Sequence, residues 1–303
     1  MRRALGLLLA LVIVLIGAAL FFRVKPRQSV AAASPAPTRD HSPSTAMALP
    51  TAILIPPPAI PPPAAVAPPA TPAPRPTPAV SAGPRRVIAL DIGHTLSQPG
   101  AISASGVPEF EFNRRIVRRI EERLRSSPRF EPVIINPTGA SISLTERSRR
   151  AALAGAWLLI AVHHDSVADK YLQMQEIGGR KFAYCDRFQG FGVFMSGKNP
   201  EADRSLAFAR ILGSEMQKRG FEFSPHHHEP IRGENRPIID PANGVYQYDD
   251  LIVLKSAVMP AVLLECGVIV NREQEVLLSA AATQQMIADA VVAAIEQYIP
   301  ASK

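Results

Sequence analysis

The chain has 303 residues, with 33 Lys or Arg, 26 Asp or Glu, 30 prolines and two cysteines. The basic excess is confined to residues 1–86, which hold nine basic residues and one acidic residue, whereas residues 87–303 hold 24 and 25. These counts exclude a strongly basic nucleic-acid-binding domain in residues 87–303 and a small fold built on a disulfide framework.

An uncharged, mostly apolar run occupies residues 4–22, after Arg2 and Arg3 and before Arg23. Its length just suffices for a helix to span a bilayer, and it exceeds the apolar core of an ordinary cleaved signal peptide. Residues 1–27 are therefore predicted to form an uncleaved signal anchor, with a transmembrane helix at about 4–22. Cleavage after Ala33 is the alternative, because small residues precede that bond.

Residues 28–84 are rich in Pro, Ala, Ser and Thr and carry few charges. Such a segment cannot bury enough apolar surface to fold, so we expect a disordered, semi-rigid tether. A docking site for a proline-recognition module is the alternative. The folded part is then a single domain at 85–303, which is long enough for a full core.

The domain opens with the apolar run V-I-A-L-D-I-G-H, which predicts a buried strand that ends at His94. A glycine-rich and serine-rich loop follows, and Glu109 then begins an amphipathic helix that ends before Pro128. Open α/β sheets bind ligands at the carboxyl ends of their strands. His94 is therefore well placed for chemistry.

Further elements alternate along the chain. Strands are predicted at 131–135, 157–162, 192–196, 250–254 and 260–264, and helices at 144–154, 201–219 and 283–299. Residues 167–190 and 225–248 are predicted to be a long irregular excursion and a polar loop. This order predicts an α/β three-layer sandwich of the phosphorylase/hydrolase-like type, with a mostly parallel or mixed sheet of about six strands and helices on both faces.

Four polar residues fall at the ends of separate elements: His94, Glu109, His163 and Glu265. Two imidazoles and a carboxylate are a common catalytic zinc shell with one open position, and a further glutamate can act as a base. Each histidine could instead be a turn residue, and Glu109 could simply favour the positive helix N-terminus. Glu265 follows a buried strand, where a carboxylate is costly unless it is paired, bound to metal or catalytic.

The chain resembles the zinc-dependent N-acetylmuramoyl-L-alanine amidases of type 3 over about residues 87–298. The motif D-x-G-H lies at 91–94, and E-F-E-F-N, with a Glu four residues before an Asn, lies at 109–113. The motif H-x-D lies at 163–165, and L-x-E-x-G-x-x-x-N lies at 263–271. Thr95 and Leu96 replace the usual glycines, Asn136 and Pro137 the expected Thr-Arg, and Ala161 the expected serine.

The resemblance implies one Zn²⁺, held by His94, Glu109 and His163, with Glu265 as the catalytic residue. The implied reaction is hydrolysis of the amide between N-acetylmuramic acid and L-alanine in peptidoglycan, during cell-wall remodelling or daughter-cell separation. It places the catalytic domain on the periplasmic side of the inner membrane, held by a single-pass anchor. Secretion after cleavage is the less favoured alternative. An envelope activator protein is a further expected partner.

Four more residues are candidates for substrate contact or regulation: His164, Asp165, Arg232 and Arg236. His164 competes with His163 as a ligand, but the family places its histidine two residues before the Asp. An arginine clamp at Arg232 or Arg236 would suit a carboxypeptidase-like zinc peptidase, the first alternative function. A wall-binding or division scaffold without activity is the second.

Three features remain open. Residues 167–190 are either a lid, with Glu176, Asp186 or His164 blocking the metal, or a wall of the substrate groove. The triplet His226, His227 and His228 is expected to be solvated rather than to bind a second metal. Cys185 and Cys266 are expected to be buried thiols, with a disulfide as the alternative.

Overall fold

The computed structural model of the chain describes residues 84–299. The predicted anchor at 1–27 lies outside the described residues, as does the tether at 28–84 apart from Pro84.

Seven strands form one mixed sheet in the order β2-β1-β3-β9-β6-β8-β7, and β4 and β5 form a separate hairpin. The strands of the described residues are β1 (Arg86–Ile92), β2 (Phe130–Ile134), β3 (Leu158–Asp165), β4 (Gln173–Ile177), β5 (Arg180–Tyr184), β6 (Gly192–Met195), β7 (Ile238–Asp240), β8 (Val245–Gln247) and β9 (Ala261–Val268). The helices are α1 (Glu109–Arg125), α2 (Leu144–Leu153), α3 (Ala202–Lys218), α4 (Ile252–Lys255), α5 (Arg272–Ser279) and α6 (Ala281–Tyr298).

Helices cover both faces of the sheet, so the predicted three-layer α/β architecture is confirmed. Side chains of α1, α3 and α6 share one core with the sheet, and side chains of α2 and α4 belong to the core on the other face. Successive residues of β1 alternate between these cores, with Ile88 and Leu90 in the first and Ala89 in the second. The sheet has seven strands rather than about six because β7 and β8 extend it at one edge.

The predicted strand at 250–254 is wrong, because its apolar residues lie in the short helix α4. A run of four or five apolar residues fits either a strand or a buried helical turn by periodicity alone. Asn199 stabilises the helical conformation, since its side-chain amide donates to the carbonyls of Leu254, Ala257 and Met259 at 2.7, 3.2 and 3.3 Å.

The predicted loop at 225–248 contains β7 and β8, so that prediction is also wrong. Strand β8 pairs in parallel with β6, and Tyr246 of β8 stacks on Phe194 of β6 with ring centroids 4.9 Å apart. Both strands have three residues. Strand β8 is stabilised by its non-local pairing with β6, and β7 pairs in turn with β8 at the edge of the sheet.

Residues 167–190 are more regular than predicted, because they include the antiparallel hairpin of β4 and β5. Gly178 and Gly179 form its two-residue turn with φ values of 57° and 76°. Two consecutive positive φ values characterise a type I′ turn, for which Gly-Gly is a preferred pair. The hairpin could therefore have been inferred from these two glycines.

The chain order creates a crevice at the carboxyl ends of β1 and β3. Strand β1 pairs in parallel with β2 on one side and with β3 on the other. The connections from β1 through α1 and from β2 through α2 pack on opposite faces of the sheet. Loops leaving such a switch point diverge, and the space between them is where α/β sheets bind ligands.

Between residues 84 and 299, no single helix is long and apolar enough to cross a bilayer. Helices α5 and α6 meet the length and composition only when taken together, and they are bent by 77° at their junction.

Candidate active site

His94, Glu109 and His163 converge in this crevice. Glu109 lies between the two rings, with Oε2 2.9 Å from His94 Nε2 and Oε1 3.0 Å from His163 Nδ1. Donor atoms about 2.0–2.1 Å from a tetrahedral zinc ion are roughly 3.3 Å apart, so small outward shifts would admit the ion. The side-chain exposures of His94, His163 and Glu109 are 32%, 19% and 5%, so the cluster is closed beneath Glu109 and open to solvent above. The three side chains therefore fit a zinc ion with one open position.

Glu109 is fixed in its ionised form before any metal binds. Burial alone would raise its pKa, but the hydrogen bonds to His163 and His94 hold that pKa well below its ordinary value. The backbone N–H of Ala101 donates to Oε2 at 3.1 Å, and the side-chain amide of Asn113, one helical turn along α1, donates to Oε1 at 3.1 Å. A carboxylate held in this way is ready to act as a metal ligand.

The backbone at His94 is strained and is held from outside the loop. Its φ of 67° lies in the left-handed region, which costs a non-glycine residue about 1–2 kcal/mol. Its carbonyl accepts hydrogen bonds from Arg147 at 2.5 Å and from Asn136 at 3.3 Å. These contacts hold the ring over the crevice.

Arg147 connects α2 to the site from beneath the sheet. Its guanidinium is buried, and it donates to Asp91 Oδ1 at 2.7 Å and to the carbonyl of Ile92 at 2.6 Å. Asp91 is buried in β1 and is paired with this cation. These contacts attach α2 to the end of β1, because Asp91 and Ile92 lie three and two residues before the predicted ligand His94.

Two glycines allow the side chains of His94, Glu109 and His163 to approach the backbone closely. A Cβ atom at Gly93 would lie 2.5 Å from the His163 ring. Gly100 has a φ of 80°, and a Cβ atom there would collide with Glu109 Oε2 and lie 2.6 Å from the His94 ring. Neither position has room for a side chain when the cluster is assembled.

Glu265 lies in β9 beside His163, its register partner in β3. The residue is partly exposed, but its Oε2 is enclosed and has no hydrogen-bond partner among residues 84–299. Burial, followed by the negative charges of Asp165 and Glu109, raises the pKa of Glu265 well above its ordinary value. A cation in the neighbouring cluster would favour the ionised form of Glu265 and so lower its pKa.

The other predicted site residues have different surroundings. His164 is buried, and burial lowers its pKa to about 3; its Nδ1 is 2.7 Å from Asn113 Oδ1. It is therefore a buried residue on the α1 side of β3, and its role in substrate contact or regulation stays a prediction. Arg236 lies over the Tyr248 ring at 3.7 Å and donates to two carbonyls of its own loop, and Arg232 is exposed. Neither arginine forms a clamp with the cluster.

The expectation for the histidine triplet is wrong for two of its three residues. His226 is 3% exposed, and Nε2 of His226 and Nε2 of His227 lie 3.1 and 2.6 Å from the same oxygen, Oδ2 of Asp165. Burial opposes charging of His227, but the charges of Asp165 and Glu234 outweigh it and raise its pKa to about 10. Only His228 is exposed. Asp165 is thus a member of a second cluster.

The groups proposed to block the metal do not lie in the first cluster. Asp186 is paired with Arg272, and Glu176 is exposed on β4. Cys185 and Cys266 are both buried and free, as expected.

Sequence reasoning missed Arg147, Gly100 and the second cluster. Asp91 in a buried strand was a usable signal, because such a carboxylate needs a partner, and the basic helix at 144–154 offered one. The convergence of His226 and His227 on Asp165 depends on contacts distant in sequence, and the close approach of Gly100 to His94 and Glu109 depends on the path of the loop, so no local pattern revealed them.

Residues 88–297 match the model of the family described as N-acetylmuramoyl-L-alanine amidase. The amidase AmiA of Escherichia coli K12 is 26% identical over 231 residues, which cover 72% of this chain and 77% of AmiA. The probable amidase AmiB of Haemophilus influenzae is 26% identical, with coverage of 66% of this chain and 49% of AmiB.

Solved structures share the fold. The amidase Ami1 of Mycobacterium smegmatis superposes with a TM-score of 0.56 at 20% identity, covering 72% of this chain and 97% of Ami1. The amidase of Clostridium difficile 630 gives a TM-score of 0.55 at 18% identity, covering 71% and 96%. With the family model matching most of the chain and the four motifs meeting in one crevice, the chain belongs to the N-acetylmuramoyl-L-alanine amidase family.

Proposed function

We propose that the chain hydrolyses the amide between the lactyl group of N-acetylmuramic acid and L-alanine in peptidoglycan, and that it requires zinc. The observation that carries this proposal is the convergence of His94, Glu109 and His163 beside the enclosed carboxyl group of Glu265. Family membership supports the substrate class, and the donor set supports the metal.

His94, Glu109 and His163 would hold the zinc ion. When bound, zinc supplies a Lewis acid that polarises a carbonyl and makes water nucleophilic near neutral pH. Glu265 then acts as the general base, because its carboxylate can take the proton from the attacking water and deliver it to the leaving amine nitrogen. Its enclosure favours this role, since a raised pKa suits both the uptake and the release of a proton.

Asn113 and Arg147 position the side chains that would hold the zinc ion. Asn113 bridges Glu109 and His164 through the two ends of its amide, so it fixes both α1 and β3 at the cluster. Arg147 holds the strained carbonyl of His94. Both side chains hold the ligand set in place without contacting substrate.

We also propose that residues 1–27 anchor the protein in the inner membrane and that residues 28–84 let the domain reach the wall on the periplasmic side. The apolar run at 4–22 and the proline-rich composition support this arrangement. The process in which we propose that it acts is cell-wall remodelling or daughter-cell separation. A related amidase, CwlD of Clostridioides difficile, is seen in complex with the lipoprotein GerS, which supports an envelope partner for this chain.

Purified sacculi provide the test. The full chain is dialysed against a chelator, divided, and assayed with and without added zinc while new amino termini and released amino acids are identified. We expect new L-alanine amino termini only after zinc is restored. Release of D-alanine without L-alanine termini would instead identify a carboxypeptidase. A lack of any product from zinc-loaded protein would indicate an inactive wall-binding scaffold.

A further inference from the structure

We propose that Asp165, His226 and His227 form a second metal site that binds a divalent transition cation such as zinc. This site shares no residue with His94, Glu109 and His163, and it does not depend on the proposed function.

The three donor atoms already converge. Oδ2 of Asp165 lies 2.6 Å from His227 Nε2 and 3.1 Å from His226 Nε2, and the two imidazole rings are 4.0 Å apart between centroids. Donors around a tetrahedral zinc ion are roughly 3.3 Å apart, so outward shifts of less than about 1 Å would admit it. The carbonyl of Ser166 is 3.2 Å from His226 Nε2 and offers a further oxygen at the same point.

Both rings are oriented through their other nitrogen, as metal-binding histidines usually are. Nδ1 of His227 is 2.7 Å from Glu234 Oε2, and Nδ1 of His226 is 2.8 Å from the hydroxyl of Ser224. A carboxylate can only accept, so Glu234 keeps the hydrogen of His227 on Nδ1. The Nε2 atom then faces the carboxylate of Asp165 at 2.6 Å, through a proton in the metal-free protein or through a lone pair once that proton is replaced by a metal ion.

Two acceptors 2.6 Å apart require a cation between them. A proton is the simplest occupant, and a metal ion is the other. The second imidazole brings a third donor atom to the same point, since His226 Nε2 lies 3.1 Å from Asp165 Oδ2. Its N–H donates to that oxygen in the metal-free protein, and its lone pair could bind a metal ion there once the hydrogen moves to Nδ1.

The cluster is shielded from solvent by aromatic rings. His226 packs against Phe188 at 5.5 Å between centroids, and His227 packs against Phe194 and Tyr246 at 5.1 and 5.6 Å. Such a shell limits exchange of a bound cation with water.

The position of the site suggests its consequence. Asp165 is the last residue of β3, two residues after His163, whereas His226, His227 and Glu234 belong to the segment 225–236. A cation there would fasten this segment to β3 beside the first cluster. The second site would therefore shape one wall of the crevice.

Zinc stoichiometry tests the proposal. Bound metal is first removed from the full chain and its variants with a chelator. Each protein is then equilibrated with zinc chloride, separated from free metal and analysed by elemental mass spectrometry. We expect two zinc ions per parent chain, one in His94→Ala, one in His227→Ala and none in the double variant. His228→Ala is the matched control, because its exposed ring lies outside the cluster, and it should retain two. Asp165→Asn, which preserves side-chain shape, should also bind one and serves if His227→Ala does not fold.

A parent chain that binds one zinc ion, with one also retained in His227→Ala and Asp165→Asn, would show that a proton occupies the second cluster and would overturn the proposal. If His94→Ala retained two ions while His227→Ala retained one, the second site would stand and the assignment of His94 under the proposed function would fail.

Discussion

Three residues at the site have a backbone conformation or a degree of burial that costs free energy locally. His94 has a strained backbone, Glu265 has an enclosed oxygen without a partner among the described residues, and Asp91 is a buried carboxylate. The sequence revealed the cost at Glu265 and offered the same signal at Asp91, because a charge within a buried strand is costly wherever it occurs. The strain at His94 was not predictable, since it follows from hydrogen bonds made by residues distant in sequence.

Gly100 gives a prediction at this scale. In Gly100→Ala the new methyl group would press on Glu109 and the His94 ring, so we expect zinc affinity to fall by at least about tenfold. Competition with a chromogenic chelator measures this affinity. The matched control is Gly155→Ala, which has a similar positive φ of 68° but no atom within 4 Å of the added Cβ. The control should lose about 1 kcal/mol of stability and keep its zinc. Equal zinc affinities in both variants would show that Gly100 does not shape the cluster.

Elements differed in how far their sequences determined them. Strands β1, β3 and β9 were predictable because each is a continuous apolar run buried on both faces, and α1 because its apolar residues recur at helical spacing. Helix α4 and strands β7 and β8 were not, because they have only three or four residues. Helix α4 depends on Asn199, β8 on its pairing with β6, and β7 on its pairing with β8.

Helix α2 is tied to the site through Arg147. Replacing Arg147 with Met leaves the buried carboxylate of Asp91 unpaired, so we expect a loss of about 3–5 kcal/mol in the free energy of unfolding. Arg149→Met on the same helix is the control, since that side chain is 60% exposed, and it should change stability by about 0.5 kcal/mol or less. Urea denaturation measures both. Equal stabilities would mean that the Asp91–Arg147 pair adds nothing to the fold.

The hairpin of β4 and β5 packs on the loop between His94 and Glu109. Gln175 donates to the carbonyl of Ala104 at 2.8 Å, and the ring of Phe182 leaves no room for a side chain at Gly106. These contacts favour a groove wall over an autoinhibitory lid.

Replacing residues 173–184 with a short Gly-Ser loop should therefore lower activity on sacculi at least several-fold while zinc is retained. The control is Met174→Ala on the exposed face of β4, which should match the parent. A rise in activity after shortening would show that the hairpin is a lid.

At the scale of the whole molecule, a neutral domain is joined to a basic, proline-rich and apolar N-terminal part. If residues 1–27 anchor the protein as proposed, the full chain should sediment with membranes and resist a high-salt wash. Deleting these residues should release the protein to the soluble fraction without changing hydrolysis of soluble muropeptides. If expression of the full chain instead gave a soluble product beginning at residue 34, cleavage after Ala33 would be shown.

The assignment of Glu265 as the base beside a zinc shell of His94, Glu109 and His163 is the central claim. Turnover of zinc-loaded Glu265→Gln on sacculi tests it most directly, because glutamine keeps the shape of the side chain but cannot accept the proton. The account predicts zinc at the first cluster equal to that of the parent and turnover lower by a factor of about 10² to 10⁴. Zinc-loaded Glu265→Gln that turns over at the parent rate would contradict it.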